Sequence, residues 1–392
     1  MLLPAGKRRV QQHADARANG HSGRGQRIPL PCGLDGPTPR TPAARAAARH
    51  AVKRVSESEQ TVLVTGATGF LGLSLAAQLL SSGLRVRVLA RCEARSRVLR
   101  ELGADVVLGD VTDPKVVRAA VDGAVTVWHL AGRLLVPGVP AGEYDHIHVK
   151  GTNTVLECCK ASERLERLVH CSTTGVLGAT GDQPADETAP MRPTNVYEAT
   201  KARAEQAVWA ASREGLPVVV VRPGLVYGPG DLHLLGFFRA VMRRRFRPVG
   251  RRAVRLHPIY IDDLTDALVR CGWHPAALGE CFNIAGSEQV ALEALAEAIA
   301  RAGGTDLPAG RIPLPAARAV AMAGDLLPAR ARRLAPLTRS RLEFLTHSRV
   351  YDVTKARRLL DFAAATDLVT GVSRTVAWYR QKGHLLAGAP AR

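Results

Sequence analysis

The sequence predicts an α/β protein, a doubly wound parallel sheet carrying a smaller C-terminal substrate-side α/β domain. Three observations lead there. From Thr61 onward, short β-branched segments alternate with apolar-periodic segments long enough for helices, the rhythm of βαβ units. A glycine-rich turn, residues 65–72, separates the first strand from the first helix. Beyond Pro223 the alternation stops, and proline-rich breaks mark a second, smaller unit.

Each element has its own justification. Thr61–Thr65 reads as a short β-branched strand, and 71–82 as a helix closed by Gly83. Strands are expected at 85–89, 105–108, 125–130, 168–171 and 217–221. The helices between them fall at 93–102, about 114–121, about 143–161 and about 195–214. After the turn Gly228-Pro229-Gly230 comes a basic segment holding Arg243, Arg244, Arg245, Arg247, Arg251, Arg252 and Arg255. A strand at 258–261, a helix at 262–271, a strand at 281–284 and a helix at 291–302 follow. An Ala/Leu-rich amphipathic stretch at 316–335 and helices at about 352–360 and 370–382 complete the pattern.

Three regions result. Residues 1–58 are rich in Arg, Ala, Gly and Pro and have no sustained period, so they are expected to be disordered, or to be upstream sequence outside the functional protein. Residues 59–284 form the nucleotide-binding unit, and 285–392 the smaller substrate-binding unit.

Composition narrows the function. The seven cysteines show no C-x-x-C spacing, which argues against a disulfide framework and a zinc ribbon; no metal site is expected, and a reducing cytoplasm is the default compartment. No apolar run is long enough to span a bilayer, and Met1-Leu2-Leu3-Pro4 is too short for a signal-peptide core. The net charge is +19, and the first 60 residues hold eleven basic and four acidic side chains. A nucleic-acid partner is nonetheless disfavoured, because the rest of the surplus is spread along the chain and aromatics make up only 4%. The partner expected is a small-molecule substrate.

The chemistry-bearing motifs come next. In Thr65-Gly66-Ala67-Thr68-Gly69-Phe70-Leu71-Gly72 the glycines let a pyrophosphate approach bare backbone N–H groups at a helix N-terminus. A dinucleotide is the ligand this turn suits. At the end of the second strand, Arg91 would hold a 2′-phosphate and favour NADP, whereas Glu93 could bind a ribose diol and favour NAD. Asp110, in Gly109-Asp110-Val111, lies where an adenine would sit, and a turn or helix-cap aspartate is the alternative. Tyr197 and Lys201 are four residues apart on one helix and therefore share a face, where an ammonium can lower the pKa of a phenol. The preceding strand ends in Cys171-Ser172-Thr173-Thr174, which brings a hydroxyl within reach of the same substrate oxygen.

Together with His129-Leu130-Ala131-Gly132, Gly151-Thr152, Arg222-Pro223-Gly224, Tyr227-Gly228-Pro229 and Asp262-Asp263-Leu264, these motifs resemble the extended short-chain dehydrogenase/reductases of the NAD-dependent epimerase/dehydratase group. The resemblance covers about residues 60–382 and implies a Rossmann-type sheet. It also implies Tyr197 as acid/base, Lys201 as its partner, Thr173 as the assisting hydroxyl, and Ala131 and Pro223 flanking the coenzyme. Homodimerisation through a helix pair is common in that group, and no residue pattern here decides it.

Two departures bear on substrate and mechanism. His148 stands where the family commonly has Asn, either as a packing histidine or in an altered proton relay. Leu225 replaces the Asn that precedes V-Y-G in sugar-nucleotide epimerases, which makes the chain more similar to the 3β-hydroxysteroid dehydrogenase and dihydroflavonol reductase branches. The leading expectation is reversible hydride transfer at a secondary alcohol or ketone on a sterol-like or flavanone-like ring. Arg255, near the place where epimerases grip a diphosphate, keeps an NDP-sugar epimerase or dehydratase as the alternative. A non-catalytic NADP-sensing regulator is the third reading, opposed by the retained Tyr197/Lys201 pair.

Overall fold

The computed structural model describes residues 60–385 apart from 329, 330, 332–334 and 336. The expectation of a disordered segment at 1–58, and part of the stretch at 316–335, fall outside the described residues.

The elements run β1 (Thr61–Thr65), α1 (Phe70–Ser81), β2 (Arg85–Ala90), α2 (Glu93–Glu101), β3 (Asp105–Leu108), α3 (Pro114–Val121) and β4 (Ala124–His129). Then come α4 (Ala141–Asp145), a π-turn (His146–Lys150), α5 (Gly151–Lys160), β5 (Arg167–Cys171), α6 (Val196–Arg213) and β6 (Val218–Pro223). The remainder comprises β7 (Leu225–Tyr227), α7 (Leu235–Met242), β8 (Arg255–Leu256), β9 (Pro258–Tyr260), α8 (Ile261–Trp273), β10 (Cys281–Ile284) and β11 (Val290–Ala291). Helices α9 (Leu292–Gly303), α10 (Leu314–Leu326), α11 (Arg339–Thr346), α12 (Thr354–Leu360) and α13 (Leu368–Gln381) close the order.

Seven strands form one parallel sheet in the order β10-β6-β5-β4-β1-β2-β3. The chain reverses its direction of travel across the sheet between β1 and β4, and ligands of doubly wound sheets bind at such a switch point. Burial on both faces explains the apolar runs of β4 and β6, every residue of which is buried. On one face, α1 and α8 pack over Val62, Val64, Trp128 and Phe282. There the Trp128 indole donates to the Leu268 carbonyl at 2.9 Å, and a Cβ at Gly272 would come within 2.1 Å of its ring. On the other face, α3, α5 and α6 cover Leu63, Val127, Leu168 and Val220.

A third apolar cluster joins Tyr227, Phe238, Leu256 and Tyr260 to Leu295, Ile299, Val376 and Tyr379. Residues 225–260 thus share one packing unit with residues 290–385, on the side of the sheet where β6 ends.

One local departure concerns the segment expected as a continuous helix at 143–161. It contains a π-turn at His146–Lys150, and such widened turns are often found at functional sites. Apolar periodicity does not reveal this, because one extra residue in a single turn barely alters the pattern on either side.

Candidate active site

The site is assembled from the C-terminal ends of β1, β2, β4, β5 and β6. Gly66 has φ +72°, and a Cβ there would lie 2.7 Å from the backbone of Leu130 and Ala131. At Gly72 the added atom would be 2.2 Å from the Gly66 carbonyl oxygen, so glycine lets α1 close onto the turn. Helix α1 begins after Gly69 with no side chain capping it and no acidic residue in its first turn. Its positive end is therefore left to an anion from outside, which fits the pyrophosphate of a dinucleotide. Thr68, Phe70 and Leu71 border this turn, half-buried.

Beyond the ends of β2 and β3 lies a depression of about 430 Å³ lined by Arg91, Asp110, Arg133, Gly142, Glu143, His146 and Ile147. The Asp110 carboxylate accepts from the N–H and hydroxyl of Thr112 at 2.9 and 2.8 Å, and Arg91 stands 3.8 Å away. Partial burial pushes the Asp110 carboxyl up, but the Thr112 bonds and Arg91 outweigh it and hold the group below its ordinary value. Glu93 is instead paired with Arg100 at 3.1 Å. Val111 is buried beside Gly151, and Ala131 donates its N–H to the Thr65 hydroxyl at 3.3 Å.

Tyr197 occupies the first turn of α6. Asn195 caps that helix by accepting from the Glu198 N–H at 3.0 Å. The Glu198 carboxylate accepts in turn from the Thr194 N–H at 2.8 Å and pairs with Arg349 at 2.8 Å. Burial raises the Tyr197 phenol well above its usual value, while a hydrogen bond with the Thr173 side chain pulls it the other way. The buried Lys201 ammonium donates to the Cys171 carbonyl oxygen at 2.5 Å, and burial lowers its pKa. Thr173, Tyr197 and Lys201 are thus brought together, and the neighbouring Pro223 carbonyl accepts from Thr174 at 3.0 Å. Leu225 is half-buried in β7, whereas Arg255 is exposed on β8.

The residues that hold α6 in place were less visible in the sequence. Glu205, fully buried, accepts from Ser172 at 2.6 Å, from Trp209 at 3.2 Å and from Arg222 at 2.6 Å. It lies four residues beyond Lys201 on the same helical stripe, which was the available signal.

His148 is buried with both ring nitrogens engaged. Nε2 accepts the Arg133 N–H at 3.0 Å, so the ring proton is on Nδ1, donated to the Thr200 hydroxyl at 2.8 Å. The Thr200 hydroxyl donates a hydrogen bond to the Val196 carbonyl at 2.9 Å, and the imidazole lies edge-on to Tyr197 with centroids 5.5 Å apart. Burial and the nearby Lys201 drive the pKa of His148 down to about 3.

An uncapped glycine turn after β1 and a tyrosine–lysine pair beside the end of β5 fit an oxidoreductase of the extended short-chain dehydrogenase/reductase class. Comparison with known proteins agrees. The model of the NAD dependent epimerase/dehydratase family matches residues 62–285, and the chain belongs to that family. It is 31% identical to the 4-hydroxy-2-methyl-3-oxo-4-farnesyl-3,4-dihydroquinoline-1-oxide ketoreductase of Stigmatella aurantiaca, over 76% of this chain and 91% of that one. The 3 beta-hydroxysteroid dehydrogenase/Delta 5-->4-isomerase of Mycobacterium tuberculosis is 30% identical, over 77% of this chain and 85% of its own length. Among solved structures, gox2253 superposes with a TM-score of 0.69 at 27% identity, covering 83% of this chain and 99% of that one. The expected family, sheet and enzyme class therefore stand. Among the described residues no helix is long and apolar enough to cross a membrane.

Proposed function

We propose that the chain reduces a ketone, or oxidises the matching secondary alcohol, on an apolar ring-bearing substrate, with NADP as its preferred coenzyme. What supports this reading is that the Thr173 side chain bonds the Tyr197 phenol while Lys201 reaches the Cys171 carbonyl at the end of β5, in a sheet whose first helix starts uncapped.

Gly66, Gly69 and Gly72 would admit the pyrophosphate, and Ala131 and Pro223 would flank the nicotinamide. When bound, that coenzyme supplies or accepts the hydride. The remaining work belongs to the protein. Tyr197, whose burial keeps it protonated, donates its proton to the carbonyl oxygen as that oxygen gains charge, and Thr173 steadies the same oxygen by a hydrogen bond. Lys201, four residues beyond Tyr197 on the same helix face and held by the Cys171 carbonyl, would orient the ribose of the bound coenzyme and favour the tyrosinate in the opposite direction.

Two observations favour the finer assignments. Arg91 and Arg133 line the adenosine-side depression in exposed pairs with Asp110 and Glu143, whereas Glu93 is not among its lining residues, which suits a 2′-phosphate better than a free diol. Leu225 presents an apolar side chain on the substrate side, in keeping with relatives named for a farnesylated ring ketone and a steroid. A sugar nucleotide would need polar contacts there.

The test is spectrophotometric. Steady consumption of NADPH is expected with steroid or quinolone ketones and none with UDP-sugars. Turnover of a UDP-sugar without net change in the coenzyme would overturn the reading.

A further inference from the structure

We infer that α10 and the adjoining arginine loop form a docking surface for an anionic membrane. Buried positions on α10 are Ala317, Ala321 and Gly324, a single narrow stripe packed toward Val249 and Leu342. The opposite arc bears Ala316, Ala319, Met322, Ala323 and Leu326, with Arg318 its one charged side chain. Met322 is 54% exposed and Leu326 86% exposed, and Val320 and Leu327 extend the apolar area at its edge. A helix whose outer face met only water would carry acids and lysines there. The one acid on α10, Asp325, is turned to Arg339, 3.4 Å away.

The charge beside this face points to the occupant. Six arginines, at 243, 244, 245, 247, 251 and 252, are exposed, and none pairs with a carboxylate among the described residues. Their loop is fastened to the start of α10: Gly250 donates to the Ile312 carbonyl at 2.9 Å and Ile312 to the Pro248 carbonyl at 2.8 Å. Val249 belongs to the same small core as Ala317 and Ala321. Apolar arc and cationic loop are therefore joined by backbone hydrogen bonds and a shared small core. An apolar helix face lying in the interface beside a polybasic segment is the arrangement that binds acidic lipid surfaces. A second copy of this chain would bring a second set of six unpaired arginines to the contact, and like charges repel.

The full chain is tested by flotation with vesicles of phosphatidylcholine alone and with one-third phosphatidylglycerol. Binding to the anionic vesicles is expected, weakened by salt and absent with phosphatidylcholine alone. Met322→Glu/Leu326→Glu should reduce it by roughly tenfold or more through lost apolar burial, and Arg251→Glu/Arg252→Glu by a similar factor through lost attraction. Both variants should keep the wild-type melting temperature and NADP affinity, since these side chains are exposed and outside the coenzyme site. Failure of the full chain to float with anionic vesicles overturns the inference. So does equal flotation of the variants, which would assign binding to another basic region, or a dimer in light scattering that Met322→Glu/Leu326→Glu converts to a monomer.

Discussion

The floor of the site and its adenosine-side rim both rest on arginine–carboxylate pairs, yet the two pairs live in different dielectric surroundings. On the floor, Arg222 and Glu205 are 5% and 0% exposed, and Ser172 and Trp209 occupy the remaining acceptor capacity of the carboxylate. At the rim, Arg91 and Asp110 are 57% and 39% exposed and 3.8 Å apart. Water screens the second pair, so it contributes little to folding and stays free to meet a ligand. The first pair excludes water, and removing either partner strands a buried charge. Geometry is therefore fixed at the buried pair and left adaptable at the rim, where the proposed choice between coenzymes would be made.

Breaking this contrast at its chemical centre gives the largest effect. Tyr197→Phe should lower kcat by about 10²–10⁴, the range for general acid/base assistance, while calorimetry still detects NADP binding. An unchanged rate would remove Tyr197 from the proposed mechanism. Next comes Glu205→Leu, which leaves Arg222 buried and unpaired. About 3–5 kcal/mol of stability should be lost in denaturant titration, and a loss below about 1 kcal/mol would mean the pair is not buried as described.

Acidification probes the floor without mutation. His129 is held by Thr65 at 2.8 Å and Thr152 at 3.0 Å, and burial depresses its pKa to about 3, as it does that of His148; His170 is also driven well below its usual value. The unfolded chain takes up protons at His129 and His148 below about pH 6.5, but the folded chain does not do so until about pH 3. Stability should then fall as pH drops through that window, by about 1.4 kcal/mol per pH unit for each histidine. Thermal melts between pH 7 and 5 check the sign, and a melting temperature that rises on acidification would contradict it.

A smaller effect is expected from His148→Ala, which frees the Arg133 N–H and the Thr200 hydroxyl at a cost of about 1–3 kcal/mol. The kcat should fall while the KM for coenzyme holds, and His148→Asn should restore part of the loss. An equal deficit in both variants would reduce His148 to space filling. Smallest for folding is Arg91→Ala at the rim, which should change stability by less than about 1 kcal/mol. Its KM for NADP should rise by about tenfold with that for NAD unchanged, and parallel changes for both would withdraw Arg91 from coenzyme choice.

Much of the site was legible in the chain because its signals are local. The glycine spacing at 65–72 reflects contacts within one turn, and Tyr197 and Lys201 share a face through helical periodicity alone. What escaped depends on residues distant in sequence. Arg349 braces the start of α6 through Glu198 from 151 residues away, and no local pattern announces such a partner. His148 was visible as a departure, but its tautomer follows from where Arg133 and Thr200 happen to meet it.

By itself the sequence determined the order of strands and helices, the nucleotide turn and the tyrosine–lysine stripe, since backbone sterics and side-chain period act over a few residues. Only tertiary structure decided which acid lies beside that stripe, which arginines lack a carboxylate partner among the described residues, and that α10 turns an apolar arc outward. Burial and dielectric are properties of the packed chain, and they give identical side chains opposite consequences.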